Sequence, residues 1–464
     1  MAVDYDLVIL GGTQEGYEAA QQAIQRGARV ALVLNGLDGR RSPLQTLGAL
    51  WTTRAPHLVC PSPESPKTSW QWAIQRATLI ADVLANEDPE QLMVQGVDVI
   101  AETGQLISDR PLQVETSSRR LTTRAVVLAT GSTPRLPAIP GLNSVLHETP
   151  EAFLQRESLP QSVAILGNTP IALMLCQLLC RWDIPVTLLT PNAPLLSQED
   201  PDVSRWITAQ LQAESAQLRL GADVNEIVAT DSAITLHLPN ETVTAETLIL
   251  ATASTPNLAG ITLNKLLERD RPLPVNSYLQ TRHPRVYACG SVLGGEGMVA
   301  IARQEARIAV ENALFWNRRR IDYCTLPYGL LTQPEMARVG LTEPQARQRY
   351  REDELLIHRQ PLYDNPKAQW LDSTIGFCKL IAHRNGQLLG VHGVGPEATE
   401  WVQTLALLMV QKVPWSAICH YPTLPHSLSE VLRQTTQQWE RDRWQPGKWR
   451  RDWAENWFNW RRSC

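Results

Sequence analysis

Near its N-terminus the chain reads Tyr5-Asp6-Leu7-Val8-Ile9-Leu10-Gly11-Gly12-Thr13-Gln14-Glu15-Gly16. The apolar run from Leu7 to Leu10 predicts a buried parallel strand, and the glycines after it predict a tight turn into a helix. Gly27 ends that helix, and residues 29 to 34 predict a second strand. This order is typical of a dinucleotide-binding unit, in which a pyrophosphate lies against the free N–H groups of the helix N-terminus.

The turn departs from the G-x-G-x-x-G fingerprint at its second glycine. Gly11 and Gly16 hold the first and third glycine positions, whereas Thr13 replaces the second. The acid that would bind a ribose hydroxyl after the second strand is also replaced, because Asn35 follows Leu34 there. The candidate residues of this first site are Gly11, Gly12, Thr13, Gly16 and Asn35.

The same pattern occurs a second time. An apolar strand from Val163 to Leu166 leads into Gly167-Asn168-Thr169-Pro170-Ile171-Ala172, and a threonine again replaces the middle glycine. Gly167, Thr169 and Ala172 are the candidate residues of this second site. Two such units predict two dinucleotide sites, typically one for FAD and one for NAD(P). The alternative is two α/β units that keep the fold and have lost their ligands.

Composition narrows the class of protein. The 464 residues are enough for about three domains, and 43% of them are hydrophobic. A net charge of −4 does not favour a nucleic-acid-binding surface. The eight cysteines include no C-x-x-C pair and no metal-ligand spacing, which favours a reducing compartment and no metal site. With no signal peptide pattern and no membrane-spanning run, we expect a soluble, cytoplasmic protein.

The C-terminal third predicts a domain that mixes strands and helices. Thr342 and Gln345 form a capping box before a helix. Residues 377 to 382 and 388 to 394 predict two strands, joined by the hairpin signal Asn385-Gly386. A helix that ends near Lys412 follows.

Five motifs in this order resemble the flavoprotein pyridine nucleotide-disulfide oxidoreductases, the group that contains dihydrolipoamide dehydrogenase, glutathione reductase and mercuric reductase. They are residues 11 to 16, 129 to 131 (which include Thr130 and Gly131), 167 to 172, 286 to 290 and 333 to 342, within a similarity that covers about residues 4 to 435. The resemblance implies an α/β fold with two Rossmann-like dinucleotide-binding domains and an α+β C-terminal dimerisation domain. It also implies FAD and NAD(P)H as cofactors, and a homodimer.

The resemblance implies these domain boundaries: residues 1–150 with 266–320 for FAD, 151–265 for NAD(P), 323–435 for dimerisation, and a Trp- and Arg-rich tail at 438–464. The Gly-Asp of the family, whose aspartate binds the ribityl chain of the flavin, reads Gly290-Ser291 here. Serine keeps a hydroxyl group but loses the charge.

The catalytic residues of the family are mostly replaced. Its redox-active cysteine pair falls on Arg41 and Thr46. Its buried lysine and glutamate partner fall on Leu50 and Met174, a coupled loss that suggests a repacked site. Its His-Pro-Thr acid/base falls on Tyr421, whose high ordinary pKa makes it a proton donor and a poor base.

Glu430 is the residue that the resemblance places beside Tyr421, in the role of the glutamate that orients the family's histidine. Tyr421 and Glu430 are therefore the candidate catalytic residues.

The tail carries six tryptophans among basic residues. On a helix, Trp449, Trp453, Trp457 and Trp460 fall on one narrow face. One interpretation is an amphipathic helix docked on its own dimer. The other is a docking segment for a membrane surface or a partner protein.

Two functional hypotheses follow. The first is an FAD-dependent oxidoreductase that passes electrons from NAD(P)H to an acceptor other than a disulfide, and the two recognisable glycine turns favour it. The second is a non-catalytic homodimer that uses the same scaffold for binding or assembly. Replacements that occur together favour this second hypothesis: Thr13, Leu34, Ser291, Arg41, Thr46 and Tyr421.

Overall fold

Two units make up the chain in the structure, a computed structural model. It describes residues 3–36, 43–53, 66–84, 88–230, 233–261, 272–295, 298–420 and 422–463. The first unit joins Met1–Leu195 with Gln210–Asp322, and the second joins Leu196–Ala209 with Tyr323–Cys464. Both glycine turns lie in the first unit.

The elements follow one another in three groups. The first group is β1 (Tyr5–Leu10), α1 (Gln14–Ile24), β2 (Val30–Val33), α2 (Pro43–Thr53), α3 (Pro66–Leu84), α4 (Pro89–Val94), β3 (Asp98–Ile100), β4 (Gly104–Asp109), β5 (Leu112–Thr116), β6 (Arg120–Leu128), β7 (Ser132–Pro134) and α5 (Pro150–Phe153). The second is β8 (Val163–Leu166), α6 (Pro170–Arg181), β9 (Val186–Thr190), α7 (Pro201–Ala213), β10 (Gln217–Leu220), β11 (Glu226–Ala229), β12 (Ile234–His237), β13 (Thr242–Ala245), β14 (Thr247–Leu250), β15 (Ser254–Pro256), β16 (Val286–Ala288) and α8 (Val299–Leu314). The third is β17 (Tyr328–Leu330), β18 (Glu335–Gly340), α9 (Glu343–Arg349), β19 (Leu355–Pro361), α10 (Pro366–Trp370), β20 (Phe377–His383), β21 (Leu388–Gly395), α11 (Ala398–Val410), α12 (Ser416–His420), α13 (Glu430–Arg443) and α14 (Trp449–Ser463).

The first sheet has the order β3-β2-β1-β6-β5-β4, and β16 pairs with β6 on the same sheet. Its central strands are parallel, with Leu10 in register with Val33 of β2 and Leu128 of β6. The last four residues of β1 are buried, which explains why its sequence is apolar without alternation. The carboxyl ends of β1 and β6 therefore meet at the first glycine turn.

The second sheet repeats this arrangement on a smaller scale. Its order is β10-β9-β8-β14, all parallel, and an antiparallel ribbon of β11, β12 and β13 accompanies it. Within the first unit, the strands β7 and β15 form a short antiparallel pair, one following the first sheet and the other following the second. The repeat predicted from the sequence is thus a repeat of structure.

The C-terminal sheet has the order β17-β18-β21-β20-β19 and is antiparallel. The predicted hairpin is present between β20 and β21, and the capping box of Thr342 and Gln345 opens α9. In the first sheet the edge strand β3 begins at Asp98. Asp88 caps α4 in front of it, and Gln95 ends that helix.

Candidate functional site

The first glycine turn is packed against the end of β6. Gly11 has a φ of +119°, and a Cβ on it would lie 1.9 Å from the Ala129 carbonyl oxygen. A Cβ on Gly16 would lie 2.0 Å from the Gly11 carbonyl oxygen. Both glycines are therefore required by backbone packing, which agrees with the roles that the fingerprint gives them. Gly12 is buried in the same turn, and its N–H donates to the Leu34 carbonyl.

Thr13 stabilises this turn with its side chain. Its hydroxyl accepts a hydrogen bond from the Gly16 N–H at 3.3 Å and so caps the N-terminus of α1. The same hydroxyl donates to the Ala129 carbonyl at 3.0 Å. A glycine here would give a ligand more room but would lose both hydrogen bonds.

The second turn is built in the same way. Gly167 has a φ of +147°, and a Cβ on it would lie 2.0 Å from the Ala251 carbonyl oxygen. The Thr169 hydroxyl accepts from the Ala172 N–H at 3.3 Å and donates to the Ala251 carbonyl at 2.9 Å. The two threonines are therefore equivalent.

The symmetry extends to an Ala-Thr pair after each strand, which was not predicted from the sequence. Ala251-Thr252 follows β14 as Ala129-Thr130 follows β6, and each alanine carbonyl receives the hydroxyl of a capping threonine. The Thr130 hydroxyl donates to the Asn257 carbonyl, and the Thr252 hydroxyl to the Arg135 carbonyl, both at 2.6 Å. The repeated Ala-Thr pair after an apolar strand was the available signal.

Gly131 and Thr130 lie where the chain leaves the first sheet for β7. Gly131 has a φ of +72°, and its carbonyl accepts from the Asn257 N–H at 2.9 Å. With the Thr130 hydroxyl also engaged by Asn257, both residues tie β7 to the segment after β15. Their observed contacts are structural.

Asn35 also makes a structural contact. Its Oδ1 accepts a hydrogen bond from the Gly104 N–H at 2.6 Å, and its φ is +55°. This side chain therefore holds β4 against the end of β2. An acceptor already used in this way is a poor substitute for the acid that binds a ribose.

A buried carboxylate, which the sequence analysis did not single out, lies at the first turn. Glu15 is 7% exposed, and a Cβ on Gly290 would lie 1.9 Å from its Oε1, so the two residues are in direct contact. The carboxylate accepts hydrogen bonds from its own N–H and the Ser291 N–H, and the Thr13 hydroxyl lies beside it. Glu305 is buried next to it and accepts from the Gly290 N–H at 2.7 Å.

Burial raises the pKa of Glu15 to about 7, and the neighbouring Glu305 carboxylate adds to the rise. The two backbone N–H donors and the neighbouring Thr13 hydroxyl lower the pKa and keep the increase from being larger. Burial together with both carboxylates raises the pKa of the Cys289 thiol well above its ordinary value. The site is thus acidic and largely closed to water.

A dinucleotide pyrophosphate at this turn needs the donors at the start of α1. Gly11 and Gly16 give the backbone the right shape, but the Glu15 carboxylate lies against Gly290 and takes the Ser291 N–H donor. The first turn therefore does not fit a pyrophosphate while Glu15 holds this position. The second turn has the apolar Ile171 at the corresponding position, and its residues fit a pyrophosphate better.

The segment in which the resemblance places the family's redox disulfide is only partly described. Arg41 lies outside the described residues, whereas Thr46 is 6% exposed within α2. Leu50 of α2 and Met174 of α6 are fully buried, and these two helices pack together. The two positions that the resemblance gives to the family's ion pair are thus part of the apolar core. Cys176 of α6 is a buried free thiol.

The candidate proton donor Tyr421 lies outside the described residues. Glu430 forms an ion pair with Arg433 at 2.7 Å, and the Arg433 Nε donates to the Thr423 hydroxyl at 3.1 Å. Glu430 is therefore held by an arginine. Nearby, His426 packs against the ring of Trp370.

The tail forms two helices with different environments. Trp439 of α13 is 7% exposed and packs edge-on against Trp415, with ring centroids 4.0 Å apart. In α14 the rings of Trp453 and Trp457 are stacked, and that of Trp460 follows. These rings share one face, as predicted, and are 43% to 62% exposed. Among the described helices none is both long and apolar enough to cross a bilayer.

Comparisons with known proteins agree with this architecture. The family model described as pyridine nucleotide-disulphide oxidoreductase matches residues 5–306, and the model of its dimerisation domain matches residues 326–435. Dihydrolipoyl dehydrogenase of Bacillus subtilis (strain 168) is 30% identical over 470 residues, which cover 93% of this chain and 98% of that protein. Mercuric reductase of Staphylococcus aureus is 27% identical over 423 residues, which cover 87% of this chain and 77% of that protein.

Among solved structures, the HOCl-induced flavoprotein disulfide reductase RclA of Escherichia coli matches with a TM-score of 0.81 at 21% identity. The match covers 93% of this chain and 99% of that chain, and it shows the fold. The resemblance and the fold class that the motifs predict, two Rossmann-like domains followed by an α+β dimerisation domain, are confirmed by these matches.

Proposed function

We propose that this chain, which belongs to the pyridine nucleotide-disulphide oxidoreductase family, is an FAD-dependent oxidoreductase that passes electrons from NAD(P)H to an acceptor other than a disulfide. Members of the family use FAD and NAD(P)H. The proposal depends on the packed helix α2, where Thr46 and Leu50 are buried at positions that the resemblance gives to a catalytic thiol and a lysine. Thiol–disulfide exchange needs an attacking thiolate, and α2 contains no cysteine.

We therefore expect no reduction of lipoamide, glutathione disulfide or mercuric ion by NADH or NADPH above the rate without protein. Oxidation of NADH or NADPH should be measured with each of these acceptors, and with ferricyanide or a small quinone as a non-disulfide acceptor. A dihydrolipoyl dehydrogenase assayed in parallel with lipoamide provides the positive control. Turnover of any disulfide at an enzymatic rate would contradict the proposal, as would an absence of turnover with every acceptor.

A non-catalytic binding or scaffold protein is the second candidate function, and the position of the Glu15 carboxylate favours it. Glu15 takes hydrogen-bond donors that a flavin pyrophosphate would use. The visible absorbance of the purified chain distinguishes the two functions. A flavin band supports the oxidoreductase, whereas a colourless chain that takes up no added FAD supports the scaffold.

We also propose the residue roles and domain division given by the resemblance. Tyr421 and Glu430 are the candidates for proton transfer, and the two glycine turns are the candidate dinucleotide sites. The FAD-binding part would comprise residues 1–150 and 266–320, and the NAD(P)-binding part residues 151–265. The side-chain Oδ1 of Asn35 and the hydroxyl of Thr130, both candidate cofactor contacts, form hydrogen bonds with the backbone in the structure.

The chain carries the dimerisation domain of the family at residues 326–435, which supports a homodimer. We expect sedimentation at micromolar concentration to give the mass of two chains. A stable, folded monomer under these conditions would contradict this expectation.

The exposed tryptophan face of α14 is proposed as a docking surface. Trp453 and Trp457 are 62% and 43% exposed on the described chain. Four arginines of this helix outnumber its two acids: Arg450, Arg451, Arg461 and Arg462 against Asp452 and Glu455. Exposed tryptophans beside arginines suit the headgroup region of an anionic membrane, where indole rings have a favourable position.

A further inference from the structure

The Glu15 carboxylate occupies the place of an anion at the first glycine turn. It lies at the N-terminus of α1, where the helix dipole favours a negative charge. Its donors come from two separate places: its own backbone N–H and the Ser291 N–H. The contact with Gly290 is possible only because Gly290 has no side chain.

The second glycine turn provides an internal comparison. Thr169 caps α6 through the same two hydrogen bonds that Thr13 makes at α1. At the position of Glu15 the second turn has Ile171, so the acid is a feature of the first turn and not of the repeat. The capped turn consequently does not need a carboxylate to fold.

We propose that Glu15 is an internal competitor of the flavin pyrophosphate, so that FAD binds at the first turn only when this carboxylate leaves its contact with Gly290 and its hydrogen bond with the Ser291 N–H. This inference rests on the proposed function for the identity of the ligand. It adds that a residue of the chain itself controls access of the cofactor. Both the bulk of the side chain and its negative charge oppose the phosphates, which carry the same sign.

The groups around Glu15 favour its displacement. From α8, the Glu305 carboxylate repels it, and from the segment after β16 the Cys289 thiol contributes no positive charge. Glu18 lies one turn further along α1 and is engaged by Arg307 of α8 at 2.7 Å. Since the pKa of Glu15 is raised to about 7, acidification below this pH removes the charge that competes with the phosphates.

The test is FAD affinity of the full-length chain, freed of any bound flavin and titrated with FAD by fluorescence. Glu15→Gln removes the charge and keeps the bulk, and Glu15→Ala removes both. At pH 8 we expect the dissociation constant to fall by about tenfold for Glu15→Gln and further for Glu15→Ala, because charge-assisted hydrogen bonds no longer hold the site closed. Glu18→Gln is the matched control, and its affinity should stay within about twofold of that of the unmodified chain.

The pH dependence adds a second readout. Between pH 8 and pH 6 the unmodified chain should gain FAD affinity relative to Glu15→Gln, because protonation makes the two chains alike. Without FAD, the folded chain keeps the Glu15 proton up to about pH 7, whereas the unfolded chain loses it near 4.5. The stability that this proton contributes is therefore complete below pH 4.5 and is lost as the pH rises to about 7. Glu15→Gln should abolish this pH dependence of stability.

Equal FAD affinities for the unmodified chain and both Glu15 variants would overturn the inference, as would an absence of binding by all three. The proposed function is tested separately by NAD(P)H oxidation. Tighter binding by the variants without turnover would support the competitor and contradict the oxidoreductase. Turnover with unchanged affinities would support the oxidoreductase and contradict the competitor.

Discussion

Replacing Lys379 with methionine should lower the free energy of unfolding by about 3–5 kcal/mol. Lys379 lies on β20, and its side chain is 3% exposed. Its Nζ is 2.8 Å from Asp200, 2.8 Å from Asp202 and 2.6 Å from Glu343, so one ammonium group forms ion pairs with three carboxylates. Methionine fills a similar volume but leaves the fully buried Asp200 without its cation, and an uncompensated buried charge is strongly destabilising.

Denaturant unfolding of the variant and the unmodified chain measures this effect. Arg205→Met is the matched control, because Arg205 also pairs with Asp202 but its side chain is 75% exposed. We expect the control to cost less than about 1 kcal/mol. Adding Asp200→Asn to Lys379→Met should restore part of the lost stability, since it removes one of the stranded charges. Equal losses of unfolding free energy for Lys379→Met and Arg205→Met would contradict this prediction, because the buried cluster would then contribute no more stability than an exposed ion pair.

Features that depend on neighbouring residues could be predicted from the sequence. The capping box of Thr342 and Gln345 and the hairpin at Asn385-Gly386 each involve a few consecutive residues. Their side-chain and backbone requirements act locally, so the pattern of residue types was sufficient. The two glycine turns were recognisable for the same reason, even with threonine at their centres.

Features that depend on tertiary contacts could not be predicted in this way. Glu15 contacts Gly290 because β16 pairs with β6 and brings its end beside α1, which no spacing along the chain reveals. Lys379 lies in a strand of mostly apolar residues, and its partners Asp200 and Asp202 come from a distant segment. In each case the sequence showed one charged residue without its surroundings.

The tail was predicted in part. The helical period predicted a shared face for Trp449, Trp453, Trp457 and Trp460, and in the structure the rings of Trp453, Trp457 and Trp460 lie together along α14. The spacing of the tryptophans along the chain could not show that Trp439 belongs to a separate helix and joins the core of the second unit. Burial of a tryptophan depends on what lies opposite it, here Trp415.

Replacing Trp439 with alanine should therefore lower the free energy of unfolding by about 3–5 kcal/mol, since the ring is buried against Trp415 and leaves a cavity. Trp453→Ala, at a side chain that is 62% exposed, is the matched control and should change stability by about 0.5 kcal/mol or less. Truncation after Trp444 removes α14 but keeps Trp439, so its thermal midpoint should stay close to that of the full chain. A large loss on truncation would instead show that the exposed face packs within the folded protein or its dimer.

The same truncation tests what the exposed tryptophans contact. Full-length protein should co-sediment with phosphatidylserine-containing vesicles, and binding should weaken at high salt because the four arginines of α14 attract the anionic headgroups. The chain truncated after Trp444 should remain in the supernatant while keeping its fold and stability. Trp453→Ala should bind more weakly than the full chain, because indole burial in the interface supplies the apolar part of the affinity. If the full-length protein ignores anionic vesicles, the membrane surface is the wrong occupant and the tryptophan face requires a protein partner.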